Sequence, residues 1–382
     1  MRLLSVKEYV EFRCSGGECP ITCCGGGWRI IIDKKTLKKY ESVESELRER
    51  LCTDTEEKEE GICFKMDEEG KCTFLTKEGL CSIQKQLGED YLCDTCRKYP
   101  RILYDVGDIA ICYLTNSCPE VNRMLIKKRE PLQIIFDNSE KEENLIDDET
   151  RIKMDYAFSA FNAGIGILQN RSITINDRLY LLLFFIDRFQ QIMHEKGNPT
   201  NIIAVFTSSK IYMQLLNNST RNKFDIRSKI HSFYMIYSAM MVDNSKYVNW
   251  NKGRDLLEWI SNNVNRIDFE KFTELYEKSY NAEMQIEAEQ ILVYRFFAMF
   301  LKGFEKSDYF EKVAYECIIQ AAMMTYIVLS EMQFGEKCSD EDKIMFYSIC
   351  SRIDHAKKKE ELEQNIRNNG YYSLEKLLKV IS

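Results

Sequence analysis

From residue 151 to residue 382 apolar side chains return every three or four positions, the spacing of helices that bury one face. On that spacing helices are predicted over 152–169, 175–194, 202–216, 224–241, 288–304, 310–332 and 342–358, with others around Leu256 and Phe272. Only Pro199 falls after Pro131, and Asn, Ser and Gly supply the turns. The expectation is a helical bundle or an irregular all-α domain. No fixed-period repeat is visible, and the many Tyr, Phe and Met side chains of these helices read as core.

The first 120 residues follow another pattern. Short apolar segments at 28–32 and 109–114 read as strands bounded by turn residues. Between them Asp33 reads as the N-cap of a helix over KKTLKKYESVESELRERL, with Leu37, Tyr40, Val43, Leu47 and Leu51 on one face. That helix is expected to cover the sulfur-rich region. The charged stretch 52–71 reads as a loop, and the acidic run DNSEKEENLIDDET at 137–150 as a linker. The fold class is therefore mainly α: a small cysteine-rich α+β metal-binding domain over 1–136, the linker 137–150, and a large all-α domain over 151–382 suited to substrate recognition.

Charge and hydropathy narrow the picture. A net charge of −7 and a pI near 5.4 give no broad basic surface for nucleic acid, and Lys127-Lys128-Arg129 reads as a solvated helix end. The opening MRLLSVKEYVEFRC is interrupted by charges and lacks a signal-peptide core. No window approaches about 18 uninterrupted apolar residues, the most apolar run being 179–186. A soluble cytoplasmic protein without membrane contact is expected, and in that compartment a disulfide framework is disfavoured.

Twelve of the 15 cysteines lie between Cys14 and Cys118. The stretch CSGGECPITCCGGGW at 14–28 carries Cys14, Cys19, Cys23 and Cys24 among glycines that permit tight, left-handed turns. Cys72, Cys81, Cys93 and Cys96 follow, then Cys118, with Cys52, Cys63 and Cys112 between. All three histidines, His194, His231 and His355, fall outside this region, so a site here would be all sulfur, which suits zinc and iron–sulfur alike. Only Cys93 and Cys96 form the short pair usual for zinc, and iron–sulfur is the favoured reading. Cys317, Cys338 and Cys350, with Cys52 and Cys112, read as structural.

The runs CCGGGWRIIIDKKTLKKY, CTFLTKEGLCSIQKQLGEDYLCDTCRKYPR and CYLTNSCPEV, preceded by Phe12-x-Cys14, resemble the flagellin lysine N-methylase family and a wider group of zinc- or iron-chelating cysteine-rich domains. The likeness covers roughly residues 9–125. Cys72, Phe74, Leu75, Cys81, Ile83, Cys96, Arg97, Tyr99 and Pro100 stand where that pattern places them, whereas the spacings after Cys14 and Cys19 are each one residue longer than usual. The resemblance implies methyl transfer from S-adenosylmethionine to lysines of flagellin by a protein carrying a 4Fe-4S cluster, zinc being the alternative metal. The cluster environment is assigned to Cys14, Cys19, Cys23, Cys24, Cys72, Cys81, Cys93, Cys96 and Cys118, more sulfurs than one cubane takes.

The sequence assigns no catalytic base, donor pocket or oligomeric state. Ala163-Gly164-Ile165-Gly166, the lone GxG outside the cysteine loop, sits in a helical pattern and is discounted as a nucleotide site. A cluster iron free of cysteine would offer another way to hold the donor's amino-acid end. Arg97 and Arg101 read either as carboxylate clamps or as surface ion pairs. Two other functions stay open: a zinc-folded scaffold whose helices bind a partner protein, and an iron–sulfur electron carrier.

Overall fold

The computed structural model describes residues 2–26, 28–138, 146–218, 225–244, 250–353 and 359–381. The chain opens with β1 (Arg2–Val6) and α1 (Lys7–Glu11), then runs through the cysteine loop to α2 (Lys34–Glu41) and α3 (Arg48–Thr53). The Asp33 carboxylate caps α2 by accepting from Thr36 N at 2.9 Å. The single helix expected over 34–51 is broken because Ser42 and Ser45 turn their hydroxyls onto the nearby backbone, to Lys39 O and from Leu47 N, competing with the helical ladder. The expected loop at 52–71 contains a hairpin, β2 (Thr55–Lys58) and β3 (Gly61–Phe64), while the strand expected at 28–32 contributes just the Ile31–Cys63 bridge to it.

After α4 (Ser82–Leu87) and α5 (Asp94–Lys98), the hairpin β4 (Arg101–Val106) and β5 (Ile109–Leu114) leads to α6 (Pro119–Lys127) and β6 (Ile134–Asn138). The sheet order is β4-β5-β1-β6, with β1 parallel to β5 and antiparallel to β6. Gly107 turns the β4–β5 hairpin with φ +56°, and a Cβ there would stand 2.5 Å from Met154 Cε, so the turn lies against the helices. The basic run closing α6 is tied down, Lys128 to Glu8 at 2.8 Å and Arg129 to Glu283 at 2.7 Å.

Helices follow: α7 (Asp148–Leu168), α8 (Ile175–His194), α9 (Thr200–Thr207), α10 (Tyr212–Asn218), α11 (Ile226–Asn244), α12 (Asn251–Asn263), α13 (Phe269–Ser279), α14 (Ala282–Met299), α15 (Tyr309–Phe334), α16 (Asp340–Arg352), α17 (Lys359–Asn368) and α18 (Leu374–Ile381). The helix expected at 202–216 divides at Ser208, where Tyr212 Oη bonds back to Phe206 O at 2.6 Å. Residues 354–358 of the last predicted helix, and 139–145 of the expected linker, lie outside the described residues; Asp137 and Asn138 belong to β6.

Helix α15 is long and apolar enough to cross a membrane by length and composition, but its most apolar window is wholly buried among α8, α11, α13, α14 and α18. Two apolar cores result. The larger joins the sheet, through Leu4, Val6, Ile109, Ile111 and Leu114, to the helices; the smaller gathers Ile30, Tyr40, Leu47, Leu51, Phe64, Phe74 and Ile83 around the cysteines. Gly164 sits inside α7 against Phe296 of α14, so the GxG pair is part of a helix crossing.

Candidate metal centre

Short segments carry the thiols. Cys23 and Cys24 stand on one turn of 3₁₀ helix capped by Thr22, with their sulfurs 4.0 Å apart. Cys24 O accepts from Cys72 N at 2.7 Å, which pins the loop to the next cysteine segment. Leu75 and Cys81 form a bridge, Cys81 stands just before α4, Cys93 just before α5, and Cys96 within the first turn of α5. Helix α2 covers this group as expected: Tyr40, whose hydroxyl bonds Tyr91 O at 2.8 Å, is buried beside Cys93, Cys96 and Cys81.

The nine candidate cysteines fall into two neighbourhoods that meet at Cys23. Cys23, Cys24, Cys72, Cys81, Cys93 and Cys96 act electrostatically on one another, and Cys14, Cys19 and Cys118 do the same. Burial pushes Cys72 up to about 11 and Cys118 up to about 12, so as thiols they resist ionisation. Hydrogen bonding from Cys24 pulls Cys23 down to about 7, helped by Arg352. A proton is likewise shared within the Cys93–Cys96 pair, lowering Cys93 and raising Cys96.

Among the described residues no three Cys, His, Asp or Glu side chains are gathered closely enough to hold a metal ion. The convergence is therefore one of neighbourhood, not of a formed coordination sphere. The donors nonetheless fit a soft metal by type, being sulfur from several segments in a region without histidine. One further observation agrees. Arg352, at the end of α16, is 3% exposed, and its Nε and Nη1 have no hydrogen-bond partner among the described residues. Burial holds its guanidinium below the ordinary arginine value, and Tyr99, Cys23, Cys19 and Cys118 oppose that shift. A buried cation against the cysteine loop calls for negative charge nearby. Sequence reasoning missed Arg352 because it lies more than 200 residues beyond the last of those cysteines.

The remaining cysteines separate. Cys317, Cys350 and Cys112 are buried, Cys338 is half-buried, and Cys52 is exposed, so it fills no core. All 15 are free thiols. Arg97 donates to Leu92 O at 2.7 Å, while Arg101 lies over Tyr9 and Phe12, so main chain and rings occupy both.

Along the stretch that leads into Cys118 opens a recess of about 160 Å³, lined among others by Tyr113, Thr115, Asn116, Arg295, Lys302 and Ser351. Lys302 Nζ lies 2.7 Å from Tyr113 Oη and over the rings of Tyr113 and Tyr104 at 4.4 and 5.0 Å. Thr115 Oγ1 meets Ser117 Oγ at 2.9 Å, Ser117 Oγ meets Tyr99 Oη at 3.3 Å, and Tyr99 packs edge-on to Trp28 at 5.3 Å. Two polar contacts and one ring contact thus connect the recess to the cysteine loop.

A cysteine-rich α+β unit seated on a large helical body defines the class. Residues 162–380 match the family described as FliB lysine N-methylase C-terminal domain, and the chain belongs to that family. It is 29% identical over 144 residues to the flagellar biosynthetic protein FliU of Salmonella muenchen, a match covering 33% of this chain and 79% of that protein. The lysine-N-methylases of Salmonella typhimurium LT2 and Salmonella choleraesuis SC-B67 are also 29% identical over 144 residues, which span a third of each relative's length. No solved structure matches the chain.

Proposed function

We propose that this chain is a protein-lysine N-methyltransferase that modifies flagellin, with S-adenosylmethionine as donor and a metal–thiolate centre, a 4Fe-4S cluster, in its cysteine-rich unit. The observation carrying the methylase part of this reading is the family match across the helical body; the metal part is supported by the crowding of free thiols in residues 14–118, which lie outside that match. Cys14, Cys19, Cys23, Cys24, Cys72, Cys81, Cys93, Cys96 and Cys118 are the residues from which ligands would be drawn. Bound there, the cluster would supply a Lewis-acidic iron for the donor's amino and carboxylate groups.

The residues of the chain account for the rest. The recess before Cys118 is lined by Lys302, Lys359 and Arg295, the last paired with the buried Glu316, and the two lysines give it a positive character that suits an anionic ligand end. A solvated lysine side chain titrates at about 10.4, so a substrate lysine must lose a proton before its nitrogen can attack a methyl group. Tyrosine serves that step by turning a phenol oxygen toward the amine and ring faces toward the cationic product. Tyr113 and Tyr104 already hold Lys302 in this manner, so they are the acceptor-side residues of the reading. In the transfer the sulfonium–methyl bond breaks, a nitrogen–methyl bond forms, and the amine proton leaves to solvent.

Methyl-labelled donor and purified flagellin, incubated with the anaerobically purified chain and hydrolysed, test the proposal. Label in ε-N-methyllysine is expected; its absence from lysine would leave the electron-carrier or zinc-scaffold readings.

A further inference from the structure

Arg352 belongs to the helical body, yet its guanidinium crosses to the cysteine loop. Nη2 approaches Ile21 O at 3.5 Å, and the group lies over the Trp28 ring at 5.2 Å. At Gly26 an added Cβ would stand 2.6 Å from Arg352 Nη1, so the loop backbone presses against the cation. The side chain is buried, and two of its donors, Nε and Nη1, are without partners among the described residues. Its burial leaves little contact with solvent, and protonated thiols are weak acceptors that bring no compensating charge. A fork of N–H groups in such a place is satisfied by an anion. Its contacts, Ile21, Gly26 and Trp28, lie on the loop that carries Cys19 and Cys23, and Tyr99, Cys23, Cys19 and Cys118 are the groups whose negative charge it feels.

We propose that Arg352 is the hydrogen-bonding counter-charge of the metal–thiolate centre, donating Nε–H and Nη1–H to sulfur held by Cys19, Cys23 and Cys118. The inference rests on the reading of these cysteines as metal ligands and adds a positioning residue from the opposite end of the chain. A fixed cation beside an iron–sulfur centre stabilises its more negative, reduced state, so Arg352 raises the reduction potential. It also links loading of the centre to the seating of α16.

The test uses the full chain as wild type, Arg352→Lys and Arg352→Met, each reconstituted anaerobically with iron and sulfide. Iron and sulfide content, midpoint potential and affinity for S-adenosylhomocysteine are measured on all three. The expected result is a midpoint potential lower than wild type in Arg352→Met, with Arg352→Lys between them because it keeps charge but loses the fork. If Arg352→Met does not fold, the lowered potential of Arg352→Lys carries the test alone. Loaded variants with wild-type potentials overturn the proposal. Lost S-adenosylhomocysteine affinity at unchanged potential overturns it too, reassigning the guanidinium to the donor's carboxylate. A wild-type chain that takes up no metal removes the reading of the cysteines and the proposal with it, whereas a loaded wild type with indifferent variants removes the proposal alone.

Discussion

Tyr294 of α14 is fully buried, and its hydroxyl serves one residue of the sheet twice: it accepts from Leu114 N at 2.6 Å and donates to Leu114 O at 2.7 Å. The β1–β5 ladder ends at Leu4 and Ile111, so beyond it Tyr294 takes the place of a missing strand. Tyr294→Phe keeps the ring and the packing but leaves a buried N–H and a buried C=O without partners. Each such group costs about 1–3 kcal/mol, which sums to about 2–6 kcal/mol, a large share of a typical total of about 5–15 kcal/mol. With a urea slope of about 2–3 kcal/mol/M, the unfolding midpoint should fall by about 1–2 M. Leu114 runs directly into Thr115, Ser117 and Cys118, so the same variant should also load less metal. Urea unfolding followed by far-UV circular dichroism measures the first effect and iron content the second. A midpoint within about 0.2 M of wild type, equivalent to less than about 0.5 kcal/mol, would refute the claim that this phenol joins sheet to helices.

The two glycines of α7 should respond in opposite directions: Gly166 has open space and Gly166→Ala should gain about 0.5–1 kcal/mol of helix propensity. Gly164→Ala would drive a Cβ into Phe296 and should lose about 1–2 kcal/mol net; equal stabilities in urea would sink the helix-crossing assignment. Lys229 is buried, and desolvation pushes its amine down to about 7, partly opposed by Asp225. Below that pH folded and unfolded chains both carry the charge, whereas between about 7 and 10.5 only the unfolded chain does, so this group makes stability rise with pH by up to about 5 kcal/mol. Lys229→Met should flatten that rise relative to wild type in urea titrations at pH 6.5 and about 9.5, and parallel slopes would contradict the burial argument. Cys81→Ser and Cys96→Ser should each lower metal content and solubility together, because bound metal contributes folding free energy; a fully loaded, equally soluble variant would exclude that residue as a ligand.

The helices were legible because their periodicity is long and uninterrupted: the span predicted for 175–194 and the strand predicted for 109–114 are those observed. Elements set by local side-chain competition were not. The polar β2 forms because it pairs with β3, and no alternation of its own announces it. The Ser42–Ser45 break likewise depends on hydroxyl–backbone bonds that helical spacing hides. For the centre, the sequence located the thiols by their crowding, but not their division into two neighbourhoods. It could not find Arg352, whose approach to Trp28 and the loop is a product of tertiary packing. The family motifs were read in residues 9–125, while the family match falls on residues 162–380, where the signal is spread over apolar helix faces and no short motif stands out.

The most direct measurement is the rate of ε-N-methyllysine formation on flagellin by one anaerobic preparation, before and after its metal is stripped with a chelator and restored. The account predicts methyllysine from the loaded chain, none from the stripped chain, and recovery when iron and sulfide return. Full activity from the metal-free chain, or no methyllysine from a fully loaded one, would contradict it.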